Sequence, residues 1–159
     1  MYIQMLFRQM NIEDLLKTES KLSEQKKLIL NLIVTANRLN EEMAEILKPF
    51  DISSQQFNVL RILRGQKGKP ANLSTIQQRM VNKMSNTTRL VDKLIEKNLC
   101  ERIICPGNRR KVEITISEDG LKLLSEIDPL IVSFENAYAG KLTEIELNNL
   151  NIKLNELRS

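Results

Sequence analysis

The sequence contains no histidine and no tryptophan, and only two cysteines. Without an imidazole there is no Ser-His or Cys-His pair to activate a nucleophile, and no histidine ligand for a metal. Cys100 and Cys105 are separated by four residues and have no Cys/His cluster to complete a coordination sphere. The five glycines do not assemble a phosphate-cradling loop, because Gly65-Gln66-Lys67-Gly68-Lys69 lacks both the spacing and the following Ser or Thr. These absences argue against an enzyme and against a metal or other cofactor. No apolar run approaches the length of a membrane span, and the first ten residues lack the apolar core and small-residue cleavage site of a secretion signal. The expected location is the cytoplasm, with no membrane partner.

Aromatic residues are scarce, four Phe and two Tyr, so the core has to be aliphatic. A chain of 159 residues that is 42% hydrophobic is one folded domain, or one subunit of an oligomer. The net charge of +4 is unevenly spread. Residues 64–111 hold twelve Lys or Arg against only Asp92, Glu96 and Glu101, a local +9 that leaves −5 on the rest. Such asymmetry suits a partner that is a polyanion. A membrane surface is the poorer match, since no basic amphipathic helix carries Trp or Phe on its apolar side.

The chain is organised around residues 72–116, which read as helix, turn, helix and β-hairpin. Ser74 and Gln77 have the spacing of a capping box that opens the first helix. Leu73, Ile76, Met80 and Val81 then fall on one side, and Asn82 is the expected cap of the next helix. Over residues 84–97 a helical period turns Met84, Thr87, Val91, Leu94 and Ile95 inward, with Leu90 on the flank. The opposite side carries Ser85, Asn86, Arg89, Asp92, Lys93 and Glu96. A hydroxyl, an amide and a guanidinium at the start of such a helix are the groups that read base edges in a major groove.

After Leu99 the period becomes alternating. Residues 101–105 and 111–116 read as two short strands, the second with Val112, Ile114 and Ile116 on one side. Pro106-Gly107-Asn108 supplies turn chemistry between them, and Arg109, Arg110 and Lys111 follow at once. Adjacent cations on a hairpin tip repel one another unless an anion, such as a phosphate backbone, lies against them.

The order of these pieces resembles the MarR-type (multiple antibiotic resistance regulator) transcriptional regulators. The similarity runs over about residues 50–124 and is most specific in TTRLVDKLIEKNL, residues 87–99, and ITISEDG, residues 114–120. The family's wing usually reads Asp-x-Arg. Here it is Asn108-Arg109-Arg110, so the Arg matches at Arg110 while the acid has become an amide, which accepts a hydrogen bond without charge assistance. The fold expected is mainly α with a small β-hairpin wing, a winged helix-turn-helix with N- and C-terminal dimerisation helices. One domain, 1–159, would hold a reading lobe at about residues 50–116 and dimerisation helices at about 21–48 and 117–159.

The resemblance implies a homodimer that binds double-stranded DNA sequence-specifically at an inverted-repeat operator, with repression the expected sense. It also implies release by a small, often aromatic, ligand, to which no residue is assigned. In such a regulator Ser85, Asn86, Thr88 and Arg89 would read bases, and Arg109 and Arg110 would form the wing contact, Arg110 in the minor groove. Lys93 and Lys111 would meet phosphate, with Lys67 and Lys69 as weaker candidates. Two other readings stay open on the residues: a winged helix that binds an acidic partner protein, and a thiol-redox switch through Cys100 and Cys105.

The flanking segments fit this plan. A short helix is expected near residues 12–17 and a long one over residues 21–47, ended by Pro49. Residues 51–54 read as the start of a helix to Arg64 that carries Phe57, Leu60 and Leu63, followed by a Gly- and Lys-rich loop over residues 65–70. Ser117 with Glu118 and Asp119 reads as a capped helix start, in a helix that Pro129 should kink or split. Thr143 and Glu146 form a capping box for a last helix.

Overall fold

Capping side chains and aliphatic periodicity set the order of elements. The computed structural model describes residues 11–104 and 112–159. Helix α1 spans Ile12–Leu15 and α2 spans Glu24–Leu47, followed by a 3-10 turn at Lys48–Phe50. Then come α3 (Ser54–Arg64), α4 (Leu73–Arg79), α5 (Thr87–Glu96), strands β1 (Cys100–Ile104) and β2 (Val112–Ile116), α6 (Glu118–Ala139) and α7 (Glu144–Glu156). The chain divides between Met43 and Ala44 into two compact units. The architecture is mostly helical with a two-stranded antiparallel hairpin, the winged helix-turn-helix expected from the sequence. Among the described residues no helix is long and apolar enough to cross a membrane.

In the first unit Asn11 caps α1, its Oδ1 accepting from the Asp14 N–H at 2.8 Å. Lys27 on α2 pairs with Glu13 at 2.9 Å. In the second unit α3 is central. Ser53 and Gln56 close a full capping box, and Phe57, Val59, Leu60, Ile62 and Leu63 are all buried. This helix packs against α4, α5, α6 and β2. Arg64, at its end, makes a bidentate pair with Asp128 on α6, at 2.7 and 3.0 Å. The Arg64 guanidinium holds the Asp128 carboxyl below its ordinary range.

In the hairpin Cys100 lies opposite Ile116 and Ile104 opposite Val112. Ala71 adds a third short line of pairing that the sequence did not suggest, exchanging hydrogen bonds of 2.9 and 2.8 Å with Ile114. The loop before it turns through Lys67 and Gly68, both with positive φ. Helix α6 starts against the α5–β1 junction: Ser117 caps it through the Gly120 N–H and donates its own hydroxyl to the Asn98 carbonyl.

Several local expectations are corrected. Asn72, not Ser74, caps α4, because its carboxamide reaches the Thr75 N–H at 2.8 Å and starts the helix earlier. The next helix begins at Thr87 instead of Met84. Asn82 does not cap it but bends the chain, its Oδ1 taking the Met84 N–H and its carbonyl the Ser85 N–H. Val81 and Met84 consequently lie outside any helix and are exposed, not inward. Of the two outcomes expected at Pro129, a kink or a split, the split is excluded, because α6 is continuous through it.

Candidate nucleic-acid interface

Helix α5 has a firmly held inner side. Thr87, Val91 and Leu94 are buried, with Leu90 and Ile95 half-buried beside them. Gln77 of α4 locks the start of α5: its carboxamide oxygen accepts from the Thr87 hydroxyl, and its Nε2 donates to the Lys83 carbonyl at 2.6 Å. The Asn58 side chain accepts from the Val81 N–H at 2.9 Å and pins the other end of the turn to α3. The helix-turn-helix is therefore held together by side-chain to backbone bonds as well as by apolar packing.

The outer side presents Asn86, Thr88, Arg89, Lys93 and Glu96, all exposed. Asp92 is half-buried and pairs with Arg102 on β1, so its charge is answered within the lobe. Arg89 and Lys93 make no ion pair among the described residues. Together with Ser53, Gln55 and Met84 they line an open concavity of about 470 Å³ between the start of α3 and the start of α5.

Two of the residues expected to read bases carry constraints that periodicity does not reveal. The Asn86 Oδ1 accepts from the Arg89 N–H at 3.1 Å and caps α5, which leaves its amide hydrogens and one Oδ1 lone pair for another partner. The Ser85 hydroxyl is buried and makes no hydrogen bond among the described residues. As it stands, Ser85 does not project outward as the helical period predicts, because the turn at Asn82 rotates it inward. Thr88 and Arg89 are open.

Lys67 and Lys69 are exposed in the loop that leads to Ala71, and so lie on the stretch tied to β2. Arg109, Arg110, Lys111 and Cys105 lie outside the described residues. Cys100 is buried, and desolvation pushes its thiol up to about 12. A sensor thiol needs the opposite, a lowered pKa and access to solvent, which removes Cys100 from the thiol-switch reading. Among the described residues no three His, Cys, Asp or Glu converge on a metal position. Sequence reasoning missed Gln55 and Met84 as lining residues. Gln55 carried no signal, and Met84 was hidden by an apparent helical phase.

The MarR family profile matches residues 52–112, the stretch from the start of α3 to the start of β2. The HTH-type transcriptional repressor IacR of Pseudomonas putida is 27% identical over 115 residues, covering 72% of this chain and 67% of that protein. A MarR transcription factor from Planctomyces limnophilus is 33% identical and superimposes with a TM-score of 0.66 over 87% of this chain and 99% of that one. A mutant MarR of E. coli, solved in complex with operator DNA, shares the fold at a TM-score of 0.72 and 23% identity, covering 87% of this chain and 99% of that one.

Proposed function

Because the chain belongs to the MarR family of transcriptional regulators, we propose that it binds duplex DNA sequence-specifically, as a homodimer that represses from an inverted-repeat operator. The observation that carries this reading is the outer side of α5. It offers Asn86, Thr88, Arg89 and Lys93 to solvent, with Asp92 already paired, on a helix whose inner side is clamped to α4. Arg89 is suited to the O6 and N7 of guanine, and Thr88 to either a donor or an acceptor on a base edge. Asn86 donates through its amide hydrogens and keeps its cap, since turning the carboxamide to lay both edges against an adenine would move the Oδ1 that holds α5. Ser85 contributes to base contact only after its hydroxyl rotates out of the turn. Lys93 meets phosphate, with Lys111, Lys67 and Lys69 as further phosphate contacts, and Arg109 and Arg110 form the wing contact. Repression is supported by the similarity to a relative that is itself a repressor.

The dimer is supported by apolar surface that one chain leaves uncovered. In α7, Ile145 and Ile152 share one side, while Leu147, Leu150, Leu154 and, at the C-cap, Leu157 share the opposite side. Ile145, Ile152, Leu150 and Leu157 are exposed, so both sides of one helix have apolar surface to bury. In α2, Leu28, Ile29 and Ile33 are exposed as well. A second copy would cover such surfaces as a core cut in half. Two reading helices would then sit about 34 Å apart, in successive major grooves. Release by a small aromatic ligand and action in the cytoplasm belong to the same proposal.

The test is fluorescence anisotropy on an operator selected from random duplexes, against a scrambled duplex, at two salt concentrations. The selected site should bind more tightly at both salts. Arg89→Ala should cost about 1–3 kcal/mol on that site and little on the scrambled one. Equal affinities of the wild type for both duplexes would point instead to an acidic protein partner.

A further inference from the structure

Val81 and Met84, at 86% and 92% exposed, are the most exposed large hydrophobic side chains among the described residues, and both lie in the turn between α4 and α5. Solitary apolar side chains on a surface need no explanation. These differ because their exposure is built in. The Val81 N–H is held by Asn58 at 2.9 Å, and the Met84 N–H by Asn82 at 3.0 Å. The Lys83 carbonyl between them accepts from Gln77 at 2.6 Å, and the Ser85 N–H is bonded to the Asn82 carbonyl at 3.3 Å. A backbone fixed at four points holds the side chains in water, at the cost of unburied apolar surface.

Of the two, Met84 lines the concavity that also holds Asn86, Arg89 and Lys93. It sits two residues before the cap of α5, at the end of a recognition helix that reaches base edges. We propose that Met84 packs on the 5-methyl group of a thymine in the operator, adding an apolar specificity contact to the polar ones beside it. The inference rests on the DNA-binding reading above. In a major groove the thymine methyl is the apolar group a base edge displays. An unbranched thioether, with its adaptable torsions and polarisable sulfur, moulds to such a small target. Its polar neighbours fix the register that brings one particular thymine within reach.

Replacing thymines of the selected operator one at a time by deoxyuridine removes only the methyl group. With the full-length protein, one symmetry-related thymine in each half-site should lose about fourfold in affinity on replacement, the order expected for one buried methyl. Met84→Ala should bind the thymine and deoxyuridine forms of that position alike, and Met84→Leu should keep part of the discrimination. A melting temperature equal to the wild type's would show that Met84→Ala is folded, as its exposure predicts. The proposal is overturned if no thymine responds in the wild type, or if the same thymines respond equally in Met84→Ala. Failure to select any operator would instead overturn the DNA-binding reading, and this inference with it.

Discussion

Asn86 caps α5 with the same carboxamide that faces the proposed groove, and the two uses can be separated by a single atom exchange. Asn86→Asp keeps the accepting oxygen for the Arg89 N–H. It also adds a negative charge that a helix N-terminus favours by about 0.3–1 kcal/mol. The folded protein should be as stable as the wild type or slightly more so. Against DNA the same charge faces phosphates and the acceptor-rich edge of purines, so affinity should fall on every duplex. Asn86→Ala reverses the pattern: stability drops by about 1 kcal/mol through the lost cap, without adding repulsion. Urea unfolding and anisotropy on the two variants read the two effects independently. Unchanged operator affinity in Asn86→Asp would mean that the start of α5 does not approach the duplex.

Helix α6 shows how an element can be placed by one residue that has no side chain. Gly120 lies in its first turn, and a Cβ there would come within 2.3 Å of the Leu99 carbonyl oxygen and 2.8 Å of Ile116 Cγ1. The first is backbone and cannot swing away. Gly120→Ala should therefore cost about 1–3 kcal/mol, the range for overpacking, seen as a fall in melting temperature. A variant that melts like the wild type would refute the close approach of α6 to the α5–β1 junction. Gly120 also marks the limit of what was legible in the sequence. The caps at Ser117 and Thr143 could be read because donor and acceptor lie within a few residues of each other. The contact of Gly120 with Leu99 depends on how the hairpin folds back, which no local pattern encodes. The start of α4 was misread for a related reason. Asn72 and Ser74 are both good caps, and the choice went to Asn72 while Gln77, the other half of the expected box, was drawn off to hold Thr87. The outer face of α5 was legible from periodicity alone. Met84 and Ser85 were not, since a helical phase carried back past Asn86 assigns each the wrong side.

At the scale of the whole molecule, the cations cluster in one stretch of the chain and the uncovered aliphatic helices lie outside it. Twelve cations and three acids occupy residues 64–111, while the uncovered aliphatics of α2 and α7 lie outside that stretch. One lobe of this size offers a single short helix to a groove, which limits the number of base pairs it reads. Joining two lobes through the aliphatic helices makes the second half-site an intramolecular partner, and linkage of that kind raises affinity by about 100-fold or more when the geometry matches. The gain depends on spacing, because helices held by a packed interface reach only grooves about one turn apart. Inserting five base pairs between the half-sites turns one groove to the far side of the duplex and should cost about 100-fold. Inserting ten restores the facing but lengthens the span by a full turn, about 34 Å. A rigidly packed dimer should therefore bind the ten-pair insertion as weakly as the five-pair one, whereas lobes on loose tethers would recover. If both insertions bind like the parent site, one lobe suffices for recognition, and the aliphatic surface of α2 and α7 must serve some end other than pairing two readers.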